Sequence, residues 1–411
     1  RRAVQLGRMT GMPPLRDLPV GPDPLALLDP LRRALDSSGP AVRPILGAAG
    51  AGRDHDHDVF LPEGLALVVS TSGSSGAPKQ TMLTADALTA SADATHEVLG
   101  GPGWWLLALP VDHIAGVQVL VRSLRAGTTP VAMEVASGFR ASDFRRAAQA
   151  TLDGPGPAYT ALVPTQLGRV LRDPEATRTL ARFHAVLVGG ARTPPELAGS
   201  AAAAGVRLVR TYGMSETSGG CVYDGRPLPV TQVRLGEDGR VLLGGRTLAS
   251  GYLGDPERSA AAFVTDPDGS TWFRTDDLGR WAGDGRLEVL GRADAAILTG
   301  GHTVDPERVR AAVLDLTGAS DALVVGLEDP EWGQAVGLLV AWTDPAARLG
   351  LPALRELLRS RLASHELPRV LRAVAGIPLT GLGKPDRTGA AALLADSETI
   401  ERYTPVRHEE G

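Results

Sequence analysis

The sequence predicts an α/β protein, with a large N-terminal domain of layered sheets and helices, a β-rich subdomain, and a small α+β C-terminal domain. At 411 residues the chain exceeds one ordinary core, so about two or three packed units are expected. Short apolar runs alternate with helical stretches in the first half, which is typical of largely parallel sheets. From Gly219 the chain changes to short strands between glycine-rich turns, which favours antiparallel pairing.

The N-terminal half contains most of the predicted regular elements. An amphipathic helix is predicted over Asp23–Ser37, and it precedes a loop rich in Gly and His. In that loop, His55 and His57 alternate with aspartates, but a polar loop explains them better than a metal site because no second ligand cluster accompanies them. Buried strands are predicted over Leu65–Ser70, Trp104–Leu109, Tyr159–Val163, Ala185–Val188 and Arg207–Thr211, with helices over Ile114–Arg125 and Pro164–Leu171.

The C-terminal part forms a second predicted domain. Short strands over Val241–Leu243 and Leu287–Leu290 belong to the β-rich subdomain. We place the larger domain at residues 1–291, the smaller at 295–411, and a hinge at 292–294, with a polar tail after Ser397. The smaller domain is predicted from an α+β pattern: Pro306–Leu314, Ala322–Leu327, Ala335–Ala341 and Pro352–Leu362.

Composition excludes several functional classes. Hydrophobic residues make up 43% and charged residues 22%, which is ordinary globular composition, and a net charge of -5 argues against binding nucleic acid. The single cysteine, Cys221, cannot form an internal disulfide. No apolar run has the length of a bilayer, and no secretion signal is evident, so we expect a cytoplasmic protein without membrane insertion. The sequence leaves open whether it is a monomer or a homodimer.

A loop rich in hydroxyl and glycine residues directly follows the predicted strand Leu65–Ser70. Its glycines let the backbone approach an anion, its hydroxyls donate hydrogen bonds and its lysine adds a point charge, so polyphosphate binding is predicted. The alternative is a Ser/Gly surface loop. A Walker A pattern is absent, which disfavours a P-loop kinase or ATPase. The loop consists of Thr71, Ser72, Gly73, Ser74, Ser75, Gly76, Ala77, Pro78 and Lys79.

Three further segments carry candidate chemistry. In Thr211–Thr217, which follows a predicted strand, Tyr212 can stack on a base and Glu216 can hold Mg²⁺, although the segment could also simply cap a helix. Asp276 and Asp277 form an acidic pair, which is either solvated or accepts hydrogen bonds from ribose hydroxyls. Lys384, between glycines, is either a surface charge or a cation that stabilises charge developing during phosphoryl chemistry.

These segments, in this order, resemble the adenylate-forming superfamily of acyl-CoA synthetases, firefly luciferase and peptide adenylation domains. The resemblance spans about Val69 to Arg387. It implies ATP, Mg²⁺ and coenzyme A, and two steps: a carboxylate and ATP give an acyl-adenylate and pyrophosphate, then a thiol takes the acyl group. It also implies that the small domain is mobile and moves about a hinge at Asp294.

By this resemblance, each candidate residue has an expected role. The loop from Thr71 to Lys79 binds the ATP phosphates, Glu216 binds magnesium, and Lys384 assists adenylation. Asp277 and Arg292 bind the ribose. The remaining ATP-binding residues, which include an adenine pocket, are Gly189, Gly190, Ala191, Tyr212, Gly213 and Thr217.

Three positions depart from the superfamily pattern. Gln80 and Asp276 stand where glycine is usual, and Ala295 replaces a common second aspartate after the hinge. None of the three removes a charged catalytic group. We therefore expect adenylation to be retained, with any effect confined to affinity or to the hinge.

The acyl substrate is predicted from His113, Gly116 and Arg122. They resemble the o-succinylbenzoate-CoA ligases of menaquinone biosynthesis, which carry His-Ile/Val-Ala/Ser-Gly and an arginine further along the same helix. About two and a half turns separate His113 from Arg122, so they do not share one face of a straight helix. Arg122 either pairs with the non-activated carboxylate of a dicarboxylate or makes a structural ion pair. His113 is expected to be a wall residue, because the nucleophilic carboxylate is already ionised at pH 7.

The sequence therefore predicts an acid–thiol ligase that joins o-succinylbenzoate to coenzyme A. Two alternatives remain. One is another acyl- or aryl-CoA ligase of the same superfamily, and the other is a nucleotide-binding scaffold without catalysis.

Overall fold

The protein is seen here as a computed structural model that describes residues 15–46, 61–71, 79–135, 138–293, 296–342, 344–379, 385–396 and 400–403. The loop containing His55 and His57, the predicted hinge residue Asp294, Ala295 and Lys384 lie outside these residues. The described chain divides into two compact units. The first runs to Thr275 and includes Arg280–Glu288, and the second comprises Asp276–Gly279 and the chain from Val289 onward.

Strands largely alternate with helices in the first unit as far as Ala203, and short strands predominate after it. Its strands, of which the last two continue into the second unit, are β1 (Leu15–Val20), β2 (Ala41–Leu46), β3 (Leu65–Thr71), β4 (Lys79–Thr84), β5 (Trp104–Leu107), β6 (Val131–Ala132), β7 (Ala158–Leu162), β8 (Ala185–Val188), β9 (Leu208–Met214), β10 (Gly219–Tyr223), β11 (Arg226–Pro227), β12 (Thr231–Leu235), β13 (Arg240–Gly245), β14 (Gly251–Tyr252), β15 (Phe263–Thr265), β16 (Thr271–Trp281) and β17 (Leu287–Arg292). Its α-helices are α1 (Leu28–Leu35), α2 (Ala85–Leu99), α3 (Ile114–Ala126), α4 (Ala141–Leu152), α5 (Pro164–Leu171), α6 (Pro174–Leu180), α7 (Pro195–Ala203) and α8 (Pro256–Ala262). Short 3₁₀ turns lie at Pro24–Leu27 and Ser215–Thr217.

Three sheets are built from these strands. The first has the order β1-β2-β3-β4-β14 and is parallel from β1 to β3, then antiparallel. The second has the order β11-β10-β9-β8-β7-β5-β6 and is parallel from β9 to β6. The third has the order β12-β13-β16-β15, with β17 paired to β16. The predicted change from parallel to antiparallel strands along the chain is confirmed.

Alternating side chains of the second sheet face two different helix layers. Trp105 and Leu107 belong to a core shared with helices α1 to α3 and with the first sheet, whereas Leu106 belongs to a core shared with α4 to α6. This alternation follows from the two-residue period of a strand. Two sheets and two helix layers therefore stack on one another, which is the predicted layered arrangement.

The second unit is a sheet covered by helices on both faces. Its strands are β18 (Ile297–Thr299), β19 (His302–Val304), β20 (Ala319–Asp329), β21 (Gly333–Trp342), β22 (Val370–Val374) and β23 (Glu401–Arg402), and its helices are α9 (Pro306–Thr317), α10 (Leu351–Leu358) and α11 (Arg387–Ala395), with a 3₁₀ turn at Pro345–Ala347. Helices α9 and α10 cover one face and α11 the other. The order is β19-β18-β21-β22-β23, with β20 on β21. This confirms the predicted α+β pattern.

Several elements differ from the predicted ones. The amphipathic segment Asp23–Ser37 begins as a 3₁₀ turn at Pro24 and becomes α-helical only at Leu28. Strands β1, β2 and β4 are additional, and β2 contains Pro44, a residue that argues against a strand. Helix α10 ends at Leu358 instead of Leu362, and the Ser360 hydroxyl there donates to the Leu357 carbonyl. The predicted polar tail contains β23, which pairs with β22.

No helix in the described part of the chain is both long and apolar enough to span a bilayer. Cys221 is buried in β10, and burial raises the pKa of its thiol to about 12. A thiol in that state is a poor nucleophile, so Cys221 contributes packing and no chemistry.

Candidate functional site

The stem of the predicted phosphate loop is a pair of antiparallel strands. β3 ends at Thr71, β4 begins at Lys79, and these two residues are register partners. The loop residues between them, numbers 72–78, lie outside the described chain. The buried strand that leads into the loop is confirmed. The immediate return of the chain as a neighbouring strand fixes the position of Lys79 at one end of the loop.

A tyrosine that the sequence did not single out connects Lys79 to Glu216. Tyr252 lies in β14, beside β4, where it is the register partner of Thr81. The Lys79 Nζ lies 5.4 Å from the centre of the Tyr252 ring, and the Tyr252 hydroxyl donates a 2.8 Å hydrogen bond to Glu216 Oε1. The structure therefore brings together the predicted phosphate-binding lysine and the predicted metal-binding glutamate.

Glu216 is held in a tight turn between β9 and β10. The residue is only 7% exposed. The Thr217 hydroxyl accepts from the Met214 N–H at 3.0 Å and donates to the Gly219 carbonyl at 2.8 Å, while the Glu216 carbonyl accepts from the Ala249 N–H at 2.9 Å. The capping role considered for this segment thus belongs to Thr217, and it leaves the Glu216 carboxylate available for other contacts.

Two predicted nucleotide segments meet at the carboxyl edge of the parallel sheet. β8 and β9 are parallel, with Val188 opposite Arg210, so Gly189 lies beside Thr211. A Cβ at Gly189 would lie 2.2 Å from the Thr211 Oγ1, so only glycine allows this approach. Gly190 and Ala191, which follow, are exposed. Tyr212 and Gly213 continue β9 at the same edge, which is where open α/β sheets bind ligands.

The predicted acyl segment begins helix α3. His113 is the residue before the helix, in extended conformation, and is partly exposed. A Cβ at Gly116 would lie 2.0 Å from the Pro110 carbonyl oxygen, so this glycine has a packing role. Further along α3, the Gln118 amide donates to the Ser218 carbonyl at 2.8 Å. Helix α3 is therefore tied to the turn that carries Glu216.

Arg122 is buried, and no carboxylate of the described residues pairs with it. Its residue is 3% exposed, its guanidinium lies 5.1 Å from the Trp105 ring, and its Nη2 donates a long 3.5 Å contact to the Tyr223 hydroxyl. Within the described residues it forms no ion pair, which disfavours the structural ion pair considered from the sequence. Burial lowers the pKa of Arg122, although a guanidinium stays protonated.

Three neighbouring buried side chains each leave a nitrogen atom without a hydrogen-bond partner in the described structure. They are Arg122 Nε, His96 Nε2 and Trp105 Nε1, and we call His96, Trp105 and Arg122 the buried nitrogen cluster. The His96 and Trp105 rings lie 6.3 Å apart. Buried polar atoms are normally paired, so the N–H donors of Arg122 and Trp105 in this cluster lack acceptor atoms. A carboxylate supplies acceptor atoms and also the negative charge that Arg122 lacks.

The predicted ribose residues lie in the second unit. Asp277 is in β16 and Arg292 is in the paired strand β17. The Arg292 Nη2 lies 3.1 Å from Asp276 Oδ2, so the departure at Asp276 places an ion-pair partner beside the predicted ribose arginine. Both side chains are substantially exposed, so the pair contributes at most about 1 kcal/mol.

The side chain of Gln80, the first departure from the superfamily pattern, is held by a hydrogen-bonded pair of residues from two other strands. Its Oε1 accepts a 2.5 Å hydrogen bond from Arg43 of β2. Arg43 in turn binds Asp17 of β1 through both carboxylate oxygens, at 2.7 and 2.9 Å. A glycine could not make this contact. We call this set of contacts among Gln80, Arg43 and Asp17 the brace. It was not predicted, and it anchors the strand that begins with Lys79.

The donor set around Glu216 fits a magnesium ion that depends on substrate for most of its ligands. In the described ranges, no group of three or more His, Cys, Asp or Glu side chains could hold a metal. A single buried carboxylate suits Mg²⁺, which is usually held by one or two carboxylates together with phosphate oxygens and water. It does not suit a metal that needs an all-protein cage.

Comparison with known proteins identifies the family. The model for AMP-binding enzymes matches residues 28–253, more than half of the 411 residues, and the model for the C-terminal domain of AMP-binding enzymes matches residues 309–384. The chain belongs to the AMP-binding enzyme family.

Relatives of this AMP-binding enzyme include two named ligases. A probable 2-succinylbenzoate–CoA ligase from Mycobacterium tuberculosis H37Rv is 46% identical over 387 residues, which cover 92% of this chain and 97% of the relative. A feruloyl-CoA synthase from Amycolatopsis sp. is 30% identical over 378 residues, covering 85% and 74%. A solved o-succinylbenzoate-CoA synthetase from Bacillus subtilis, in complex with its acyl-adenylate intermediate, shares the fold, with a TM-score of 0.71, 23% identity, and coverage of 91% and 82%.

The pKa of His96 leads to a prediction about stability. Burial is the main cause that lowers this pKa from 6.5 to about 4. The positive charges of Arg122 and Arg125 lower it further, and the Asp93 carboxylate partly opposes them. Because the folded protein keeps His96 neutral, the unfolded chain binds the proton first as the pH falls. The stabilisation from neutral His96 is complete above about pH 6.5 and is lost as the pH falls toward about 4.

The variant His96→Phe keeps a ring but cannot titrate. Calorimetric melting at pH 7 and at pH 5 should therefore show a smaller drop in Tm for this variant than for the wild type. The two proteins share all other titrating groups, so equal drops would show that His96 does not contribute to the pH dependence.

The variant Gln80→Gly tests the brace. It removes a hydrogen bond to a charged group and places a glycine in a strand, so urea unfolding should show a loss of roughly 2 to 4 kcal/mol. The control Gln80→Glu keeps an acceptor for Arg43 and should stay within about 1 kcal/mol of the wild type. Equal stability of Gln80→Gly and wild type would mean that the brace is not formed.

Proposed function

We propose that this AMP-binding enzyme is an o-succinylbenzoate–CoA ligase, also called 2-succinylbenzoate–CoA ligase, of menaquinone biosynthesis. The observation that carries the proposal is the 46% identity, over 92% of the chain, to the probable 2-succinylbenzoate–CoA ligase of M. tuberculosis. In the first step, a carboxylate oxygen of the substrate attacks the α-phosphorus of ATP and pyrophosphate leaves. In the second, the thiol sulfur of coenzyme A attacks the acyl carbon and AMP leaves.

The residues of the first unit have complementary tasks in the first step. Lys79 and the loop from Thr71 bind phosphate oxygens, and the carboxyl edge formed by Gly189–Ala191 and Tyr212 receives adenine. Glu216 would hold magnesium, which would supply positive charge beside the ATP phosphates. His113, at the exposed start of α3, forms a wall of the acyl site.

The residues of the second unit complete the proposal. Asp277 and Arg292 bind the ribose, and Lys384 stabilises the charge that develops when the acyl-adenylate forms. Asp294 is the proposed hinge, within the segment 292–294 between domains at 1–291 and 295–411. We also retain a cytoplasmic location as a proposal.

The buried nitrogen cluster supports a dicarboxylate substrate. A buried guanidinium without a counter-ion is costly, and an incoming carboxylate would supply both the charge and the acceptor atoms that the cluster lacks. The feruloyl-CoA synthase relative represents the alternative, an aryl-CoA ligase, but ferulate has one carboxylate and would leave Arg122 unpaired once that group is activated. We therefore favour o-succinylbenzoate, whose benzoate carboxylate remains free.

Pyrophosphate release tests the reaction itself. With ATP, Mg²⁺ and coenzyme A, the wild type should release pyrophosphate with o-succinylbenzoate and much less with fatty or monocarboxylic aromatic acids. Glu216→Gln should lower the rate at least about 100-fold because it weakens the metal site, and Lys384→Ala should abolish AMP formation. Turnover of other acids without turnover of o-succinylbenzoate would replace the proposed substrate. Full AMP formation in both variants would instead favour a different catalytic site.

The variant Arg122→Met tests the role of the cluster. It keeps an apolar chain of similar length and loses the cation, so the KM for o-succinylbenzoate should rise about 10- to 100-fold while the KM for ATP is unchanged. Arg122→Lys should recover part of the loss. If the KM values for all substrates change together with a lowered Tm, Arg122 has a structural role only.

A further inference from the structure

We infer that Tyr252 is a positioning residue that holds Glu216 and Lys79 apart, so that both charges remain available to magnesium and ATP. This inference rests on the proposed function, because Tyr252 acts through two residues that the function assigns to the metal and the phosphates. It adds a residue for which sequence analysis gave no role.

The two charges are opposite in sign, and both contact the side chain of Tyr252. Glu216 and Lys79 form no ion pair with each other or with another described residue. Opposite charges on adjacent elements would ordinarily attract each other, and a Lys79–Glu216 pair would occupy both the metal ligand and the phosphate-binding cation. A group that binds each charge separately keeps the two apart.

Tyr252 has the chemistry to bind both charges at once. Its hydroxyl is a donor and binds the Glu216 carboxylate at 2.8 Å, which orients one oxygen. Its ring face attracts the Lys79 ammonium, which lies 5.4 Å from the ring centre. Neither contact cancels the charge it binds. A phenylalanine would keep the contact with Lys79 and lose the contact with Glu216, so the two functions can be tested separately.

The surroundings hold Tyr252 in one place. Its N–H donates to the Ser259 hydroxyl at 2.8 Å, and its ring meets the Phe263 ring edge-on at 5.8 Å between centres. On the same segment, the Leu253 N–H donates to the Gln80 carbonyl at 2.8 Å. The segment is therefore anchored to the strand that carries Lys79 as well as to the turn that carries Glu216.

The test is calorimetric binding of ATP in the presence of Mg²⁺, with no acid present, so that affinity is read without turnover. Tyr252→Phe should weaken Mg·ATP binding about tenfold, the scale of a hydrogen bond to a charged group, and should leave binding of ATP in EDTA unchanged. Tyr252→Leu should weaken both, because it also removes the ring beneath Lys79. The control Tyr159→Phe removes a different buried hydroxyl, which donates to the Leu99 and Gly101 carbonyls, and should leave both affinities unchanged.

A double-mutant cycle shows whether Tyr252 acts through Glu216. In a Glu216→Gln background, Tyr252→Phe should cause less than a twofold further change in Mg·ATP affinity. An equal loss in both backgrounds, or wild-type affinity in a Tyr252→Phe protein with a lowered Tm, would overturn the inference and leave Tyr252 a purely structural residue. Should Tyr252→Leu fail to fold, Tyr252→Phe and the cycle still decide. A wild type that binds no Mg·ATP would instead overturn the proposed function.

Discussion

The hydrogen bond from the Tyr252 hydroxyl to the buried Glu216 carboxylate is the contact on which the arrangement of the site depends. It joins β14, the turn after β9 and, through the ring of Tyr252, the first residue of β4. These elements belong to two different sheets of the first unit. The contact therefore aligns Lys79, at the end of the proposed phosphate loop, with the turn that carries Glu216, the proposed metal ligand.

Unpaired charge is the common property of the residues proposed to bind substrates in the first unit. Lys79, Glu216 and Arg122 form no ion pair in the described chain, whereas Arg43 and Arg125 are bound to Asp17 and Asp93 by two hydrogen bonds each. Keeping a buried charge unpaired lowers stability, so such residues are expected where a ligand supplies the missing partner. ATP, magnesium and a second carboxylate would each supply one. Arg292 differs, because Asp276 already pairs with it.

Sequence reasoning predicted the parts of the site that are local and missed those that depend on distant pairing. The strand Ala185–Val188 and the helix Pro164–Leu171 have the predicted bounds, because continuous apolar runs and an N-terminal proline mark them clearly. Strand β4 is rich in polar residues, and β14 is only two residues long, so neither has a periodic signal of its own. Tyr252 and the Arg43–Gln80 brace were missed because they bring together residues that are far apart in the sequence. The hydrogen bond from the Tyr252 hydroxyl to the buried Glu216 carboxylate could be found only from the structure.

The substrate assignment depends on where the far end of the acyl group lies. Crystals grown with o-succinylbenzoate and ATP, without coenzyme A, would give the most direct measurement. We expect density for an acyl-adenylate whose phosphate lies near Lys79 and Glu216 and whose free carboxylate contacts the guanidinium of Arg122. An acyl-adenylate whose free carboxylate binds elsewhere, with the nitrogen atoms of the buried nitrogen cluster still without a partner, would contradict the proposed role of Arg122.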